Sequence, residues 1–360
     1  MYIDSSPSQR VRAALRGERP GKIPFTVYEN MLHRCSIERE LRNRGTCIVK
    51  RIASYRLVTP NVQQREIHYN DENGRKVIKT IITTPVGELS KLRVPMGATT
   101  WQPGGICVSN REYMFKTKDD YKVLDFIIND TKVLPNYDKT SKMGGELGDD
   151  FILIDSMSIP MQSLIISYMG MEHFCLEWMD NRDEVLKLMQ SLWELCSKIN
   201  IVVANGPLEH AICAGNIVPS IIGLENFRKY YMPAYNEAAH EMHKRGKLIG
   251  SHLDADNTHI MEDICCTDLD FIEAYDAGMS PPVKKAREIW KNKVLWLNWP
   301  SSWHLESEDK IKELTKQIIE EAEPVNGFLI GITEDVPEYR WQENFTLIMD
   351  AIDEYEEKQL

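Results

Sequence analysis

Lys247-Leu-Ile-Gly-Ser-His252-Leu-Asp254 is a short apolar run that ends in two metal-ligand side chains one residue apart. Side chains alternate faces along a strand, so positions i and i+2 point the same way. If Lys247–Ser251 is a strand, His252 and Asp254 leave its C-terminal end side by side. Parallel α/β barrels carry their chemistry at that end. One His-x-Asp pair gains weight only if other strands bring ligands to the same rim, so the rest of the chain has to be read for strands and for what ends them.

From Asp119 onward, strand-like and helix-like segments alternate. Strands are expected at Phe151–Asp155, Glu209–Cys213, Lys247–His252, Leu269–Ala274, Val294–Asn298 and Gly327–Ile332. Helices are expected near 117–129, 160–169, 172–178, 181–203, 224–245, 257–265, 282–290, 307–322 and 340–354. Upstream, a helix over 7–17 leads into a first strand over 22–28, a helix over 31–44 closes on Gly45, and Ser54–Thr59 reads as a second strand. Counting 23–28 and 54–59 with the six later strands gives eight, and alternation with helices implies parallel βαβ units closing into a (β/α)8 TIM-type barrel. Between the second and third strands the texture changes. Gln64–Tyr69, Lys76–Thr83 and Gly87–Arg93, broken by Asn73-Gly74 and Pro85-Val-Gly87, read as an antiparallel meander inserted at 62–105. We see no linker or short repeat, so residues 1–360 are expected to form one domain carrying that insertion as a lid or side wall.

The 360 residues carry a formal net charge of −11, which argues against nucleic acid or an anionic membrane as the main partner. The eight cysteines lack any repeated CxxC, so neither a zinc ribbon nor a disulfide framework is supported, and a reducing cytoplasm fits. No apolar run approaches the roughly 20 residues that span a bilayer. The Arg10-Val-Arg-Ala-Ala-Leu-Arg16 run is better read as a helix feeding the first strand than as a transit peptide.

The strand ends gather polar groups: Glu273 in Phe271-Ile-Glu-Ala, Asn298 in Leu297-Asn-Trp, and Glu334 and Asp335 after Gly327–Ile332. Parity along the last strand places Phe328, Ile330, Ile332 and Glu334 on one face, with Glu334 tipping the inward row beside His252. An imidazole and two carboxylates suit an open zinc site. The same carboxylates also suit the first turns of the following helices, and on pattern alone both readings stay open. His240 and His243 belong to a helix outside the barrel, Cys265–Cys266 follows a helix, and Cys213, near the rim, reads as a small buried hydrophobe.

In order and spacing the chain resembles the uroporphyrinogen decarboxylase superfamily. The resemblance rests on Arg10-Val-Arg-Ala-Ala-Leu-Arg-Gly-Glu-Arg-Pro-Gly-Lys-Ile-Pro-Phe25, Ala214-Gly-Asn216 with Gly223-Leu-Glu-Asn-Phe-Arg-Lys-Tyr-Tyr-Met-Pro-Ala-Tyr235, Gly246–His252, and Gly327-Phe-Leu-Ile-Gly-Ile-Thr-Glu-Asp-Val-Pro337 with Glu343-Asn344 beyond. The superfamily's decarboxylases hold their polycarboxylate substrate with an arginine-rich segment after the first strand. Here that place reads Thr26-Val-Tyr-Glu29-Asn-Met-Leu32, neutral to acidic. Its zinc methyltransferases that serve coenzyme M use His-x-Cys and a later Cys. Asp254 stands at the first of those cysteine positions and Glu334 near the second.

The resemblance therefore implies the corrinoid-dependent branch in its O-demethylase form. The implied enzyme moves a methyl group from a methyl ether, aryl by preference, to the cob(I)alamin of a partner corrinoid protein. A harder ligand set leaves zinc a stronger Lewis acid toward oxygen. His252, Asp254 and Glu334 are then the metal ligands, and Glu273 and Asn216 the catalytic candidates, Glu273 as an alternative or supporting carboxylate. Tyr28, Glu29, Trp101 and Asn298 line the pocket for a small-molecule methyl donor. Cobalamin arrives on the partner, since no cobalamin-binding motif is visible, and a homodimer is compatible with the sequence. A decarboxylase-like lyase, or a non-catalytic member that only binds a corrinoid protein, are the alternatives.

Overall fold

The computed structural model describes residues 5–95, 108–213, 215 and 217–359. Eight parallel strands close into a barrel: β1 (Phe25–Tyr28), β2 (Cys47–Ile52), β3 (Phe151–Met157), β4 (His210–Cys213), β5 (Leu248–His252), β6 (Phe271–Asp276), β7 (Val294–Asn298) and β8 (Phe328–Ile332). Neighbours run in the order β1-β8-β7-β6-β5-β4-β3-β2, so each crossover returns to the adjacent strand and β1 and β2 close the ring. Helices cover the outside, the longest being Arg182–Asn205. This is the (β/α)8 barrel expected from the alternation of strand and helix patterns.

The second strand is not where the sequence reading placed it. Tyr55–Val58 lies outside the barrel, paired antiparallel with Lys132–Pro135. The barrel strand is Cys47–Ile52, joined to β1 through Val27↔Ile48 and to β3 through Arg51↔Ile154. Only Cys47, Ile48 and Val49 in it are buried. Lys50 and Arg51 reach the open end, and two consecutive cations hide a strand from any search for apolar runs. A helix at Tyr137–Leu147 also escaped the pattern, because Thr140 is its one buried residue and Gly144-Gly145 interrupts it. Between β2 and β3, Gln63–Asn70, Lys76–Thr84, Gly87–Pro95 and Val108–Glu112 form a four-stranded antiparallel sheet, one strand more than the meander read from the sequence. The stretch Gly97–Gly105, with Trp101, lies outside the described residues.

Register decides which side chains fill the barrel. Trp296 donates its indole N–H to Thr26 Oγ1 at 2.9 Å across β8, so both point inward. A side chain on Gly331 would meet Trp296 Nε1 at 2.8 Å and Thr26 Oγ1 at 2.9 Å, and glycine there lets that bond form. Since Trp296 pairs with Leu329, the inward row of β8 is Leu329 and Gly331. Phe328, Ile330 and Ile332 face the helices, as does Phe25, whose ring is 6.1 Å from Phe345 in the helix Trp341–Glu357. The parity assigned from the sequence was therefore inverted.

The layer outside β7 holds a buried histidine. His304 accepts from Asn344 Nδ2 at 3.1 Å and sits with its ring 4.6 Å from that of Trp299. Burial, reinforced by the Arg340 charge, pushes its pKa down to about 3, and burial with Arg12 and Arg16 does the same for His210. In the unfolded chain each ring takes a proton near pH 6.5. The unfolded state thus binds more protons between about pH 6.5 and 3, and stability falls as pH drops through that window. The loss approaches about 1.4 kcal/mol per pH unit for each ring. In urea unfolding between pH 7 and 5.5, His304→Gln is expected to lose less stability on acidification than the parent, the difference approaching about 1.4 kcal/mol per pH unit at the acid end. An unchanged slope in the variant would show that His304 is not held neutral.

Candidate metal centre

The ends of four successive strands, β5 to β8, build the site. β5 delivers His252 inward, and the register His252↔Glu273 sets Glu273 of β6 beside it. Ala274 then takes a left-handed backbone (φ 62°), and the pairing of β6 with β7 shifts between Glu273 and Tyr275. Such a conformation costs a non-glycine residue on the order of 1 kcal/mol or more. The bulge resets the alternation, so Asp276 also faces inward and pairs with Asn298. Asn298 donates to Asp276 Oδ2 at 3.3 Å and accepts from the Thr333 N–H at 3.1 Å and hydroxyl at 3.0 Å. That tie steers the chain beyond β8, where Glu334 lies past the strand end, and Glu334 Oε1 comes to 3.2 Å from His252 Nε2. Glu334 thus reaches the site through the turn after Ile332 and not by strand alternation.

His252 is held at both nitrogens. Glu273 Oε2 lies 2.6 Å from Nδ1, while Nε2 faces Asp254 Oδ2 at 3.6 Å as well as Glu334. Tyr28 donates its hydroxyl to Glu273 Oε1 and lies 3.4 Å from His252 Nδ1. Glu273 is fully buried and His252 is 5% exposed, so these charges act in a poorly screened setting. Gly215 is shaped to the ring: a side chain there would come within 2.2 Å of His252 Cδ2.

Burial opposes a charged imidazole, yet the Glu273 carboxylate, with Asp254 and Glu334, holds the His252 pKa well above its ordinary value. Burial raises Glu334 and outweighs the pull of His252, with Asp254 and Glu273 adding to the rise. Tyr28 is raised by burial and then by Glu273, so it stays a phenol and a donor. Several carboxylates around one imidazole make a mouth that favours a cation.

Ligand atoms of His252, Asp254 and Glu334 all lie within 4.8 Å of one another. Zinc–ligand bonds of about 2.0–2.2 Å in a tetrahedron separate ligand atoms by roughly 3.3–3.6 Å. The spacings from Nε2, 3.2 Å to Glu334 and 3.6 Å to Asp254, fit such an ion. Glu273 on Nδ1 fixes the neutral tautomer that offers Nε2 as ligand. The donor set is one nitrogen and two oxygens. Cys213 pairs with Ser251, whose hydroxyl bonds Tyr235 in an outer helix, so its thiol faces away from this mouth.

Of the other residues singled out from sequence, Tyr28 and Asn298 join this network. Glu29 turns to an ion pair with Lys50, and Trp101 and Asn216 lie outside the described residues. Sequence reasoning missed Asp276, Thr333 and Arg51. Asp276 needed knowledge of the bulge at Ala274, and Arg51 needed the correct second strand.

The uroporphyrinogen decarboxylase (URO-D) family profile matches residues 92–355, well over half of the chain. This protein belongs to the URO-D family. Among solved structures, this URO-D barrel is similar to a methyltransferase from Methanosarcina mazei, with 13% identity and a TM-score of 0.59 over 98% of this chain and 99% of that one. A B12-independent methionine synthase from Shewanella sp. W3-18-1 aligns over 89% of this chain and 86% of its own, with 7% identity and a TM-score of 0.46. No curated protein matches the sequence. Among the described residues of this URO-D member, no helix is long and apolar enough to cross a membrane.

Proposed function

We propose that this URO-D family member is a zinc-dependent methyltransferase that passes the methyl group of an aryl methyl ether to the cob(I)alamin of a partner corrinoid protein. The observation that carries the reading is the convergence of His252, Asp254 and Glu334 at the open end of the barrel, with Glu273 behind the imidazole. A thiol-activating site would be expected to offer thiolate ligands, which keep zinc electron-rich. Here the candidate ligands are a nitrogen and two oxygens.

The reaction breaks the methyl–oxygen bond. The oxygen keeps the bonding pair and leaves as a phenolate, and the methyl group joins the acceptor's electron pair. A zinc ion held by these side chains would supply a Lewis acid for the oxygen on which negative charge develops. The chain's own residues do the rest. Glu273 keeps Nδ1 of His252 engaged, and Tyr28 fixes Glu273 from its other oxygen. Asn298 ties Asp276 to the turn that carries Glu334. A donor held between these groups with its methyl directed out of the barrel meets the partner's cofactor in line, and such orientation is itself a large rate term.

The test is spectroscopic. The zinc-loaded protein, mixed with reduced corrinoid and a panel of methoxybenzenes, is expected to convert cob(I)alamin to methylcobalamin with one phenol released per methyl transferred. Activity confined to a thiol or folate acceptor would place the chain in another branch of the family. Inertness across ethers with metal bound would favour a member that only binds.

A further inference from the structure

The torsion that tilts a histidine ring has only a broad preference of its own, so where Nε2 of His252 points depends on what grips the ring. Glu273 grips it at Nδ1. Gly215 lies against the other flank of Cγ: a side chain there would come within 2.2 Å of Cδ2 and 2.7 Å of Cγ. Gly215 is itself held. Gln162 Nε2 donates to the Gly215 carbonyl at 3.3 Å, and Gln162 Oε1 accepts from the Tyr231 hydroxyl at 2.7 Å. With the phenol proton on Oε1, the NH2 is the end left for Gly215, whose carbonyl can only accept. Gln162 belongs to the short helix Pro160–Ser163 after β3, Gly215 follows β4, and Tyr231 ends the π-helical turn Phe227–Tyr231. A second π-helical turn, Leu164–Met169, follows Gln162. Such turns are rare and frequent at functional sites. Gln162 and Tyr231 are both buried. An amide and a phenol this deep are tolerated only when matched, and the match specifies one arrangement of the segments that carry them.

We propose that Gln162, oriented by Tyr231, is a positioning residue for His252. Through the Gly215 carbonyl it holds the backbone against Cδ2, and with Glu273 on the opposite flank this aims Nε2 at the space shared with Asp254 and Glu334. The inference rests on the metal site of the reading above, and neither the methyl donor nor its acceptor enters it. Gln162 acts on the ring through Gly215, so its removal loosens the site without deleting a ligand.

Zinc affinity, read by chelator competition, is compared in Gln162→Met, Tyr231→Phe and the double variant. Methionine keeps the length and burial of Gln162 but neither donates to Gly215 nor binds the phenol proton as an amide oxygen does. Gln162→Met is expected to weaken zinc roughly 3–10-fold, less than a group bonded to the ligand itself. Tyr231→Phe is expected to cost less, because the amide keeps Gly215 and loses only what orients it. The double variant should match Gln162→Met alone, since without the amide the phenol has nothing to orient. A purely structural pair would leave the ring unmoved. In metal-free protein at fixed pH, the Cδ2–Hδ2 NMR signal of His252, identified by its absence in His252→Ala, is therefore expected to shift in Gln162→Met while that of His304 holds. Parental zinc affinity in Gln162→Met, additive losses in the double variant, or an unmoved His252 signal overturns the proposal. If Gln162→Met does not fold, the same two readouts in Tyr231→Phe decide. A parent that holds no zinc sinks the metal reading, and the ring signal alone then decides whether Gln162 positions His252.

Discussion

His252→Ala is expected to strip the protein of its metal. Elemental analysis should fall from about one zinc per chain to background. Methyl transfer should fall on the order of a thousandfold or more, since a Lewis acid at a departing oxygen supplies several kcal/mol. The reason lies in the geometry of the mouth. His252 Nε2 is the atom that both Asp254 and Glu334 approach, at 3.6 and 3.2 Å. Without it two carboxylates face each other across a gap with nothing to organise them. The fold should survive, because Glu273 keeps its bond to Tyr28 and the ring sits at the open end of the barrel. Circular dichroism and a urea midpoint near that of the parent would confirm that the loss is local. Stoichiometric zinc in a folded His252→Ala protein would remove this residue from the site and leave the carboxylates to some other role.

The site's legibility in the sequence follows the regularity of each strand. Leu248–His252 is an apolar strand ending in a polar residue, so alternation placed His252 correctly. Glu273 was visible as an acid inside an otherwise apolar strand, and its contact with His252 follows from register once the barrel closes. Asp276 was not visible, because period-two counting from Glu273 sends it outward, and only the left-handed Ala274 brings it back. Glu334 was named for a reason that the register contradicts. It was counted in a row with Ile330 and Ile332, which face the helices, and it reaches the mouth only because Thr333 is tied to Asn298. Arg51 was lost with its strand. An apolar-run criterion prefers Tyr55–Val58 before Pro60 to Cys47-Ile-Val-Lys-Arg-Ile52, although only the latter buries its first three residues in the barrel. The positions that alternation could not find are at the bulge, at the turn and at the charged strand end, and all three face the mouth.

The second large effect belongs to Glu273, which binds two donors at once. One carboxylate oxygen meets His252 Nδ1 at 2.6 Å and the other accepts from the Tyr28 hydroxyl. With the metal bound, the imidazole must be neutral with its proton on Nδ1, and Glu273 is the acceptor that holds the proton there. Glu273→Gln preserves volume and fits the same buried space, but an amide offers one acceptor oxygen and one donating NH2. If its oxygen faces His252, its NH2 donates to the Tyr28 oxygen and the phenol proton loses its acceptor; if it faces Tyr28, its NH2 confronts the Nδ1 proton. Either way a buried group loses its match, and the ring loses the charge that fixes tautomer and orientation. Zinc affinity, read by competition with a chromophoric chelator, is expected to drop roughly 10–100-fold in Glu273→Gln. Tyr28→Phe should cost less than about tenfold, because it removes one donor and leaves the His252–Glu273 pair intact. The order of the two variants is the informative result. Parental affinity in Glu273→Gln would mean that shape alone orients His252, and a larger loss in Tyr28→Phe would make the tyrosine, not the buried acid, the group on which the site depends.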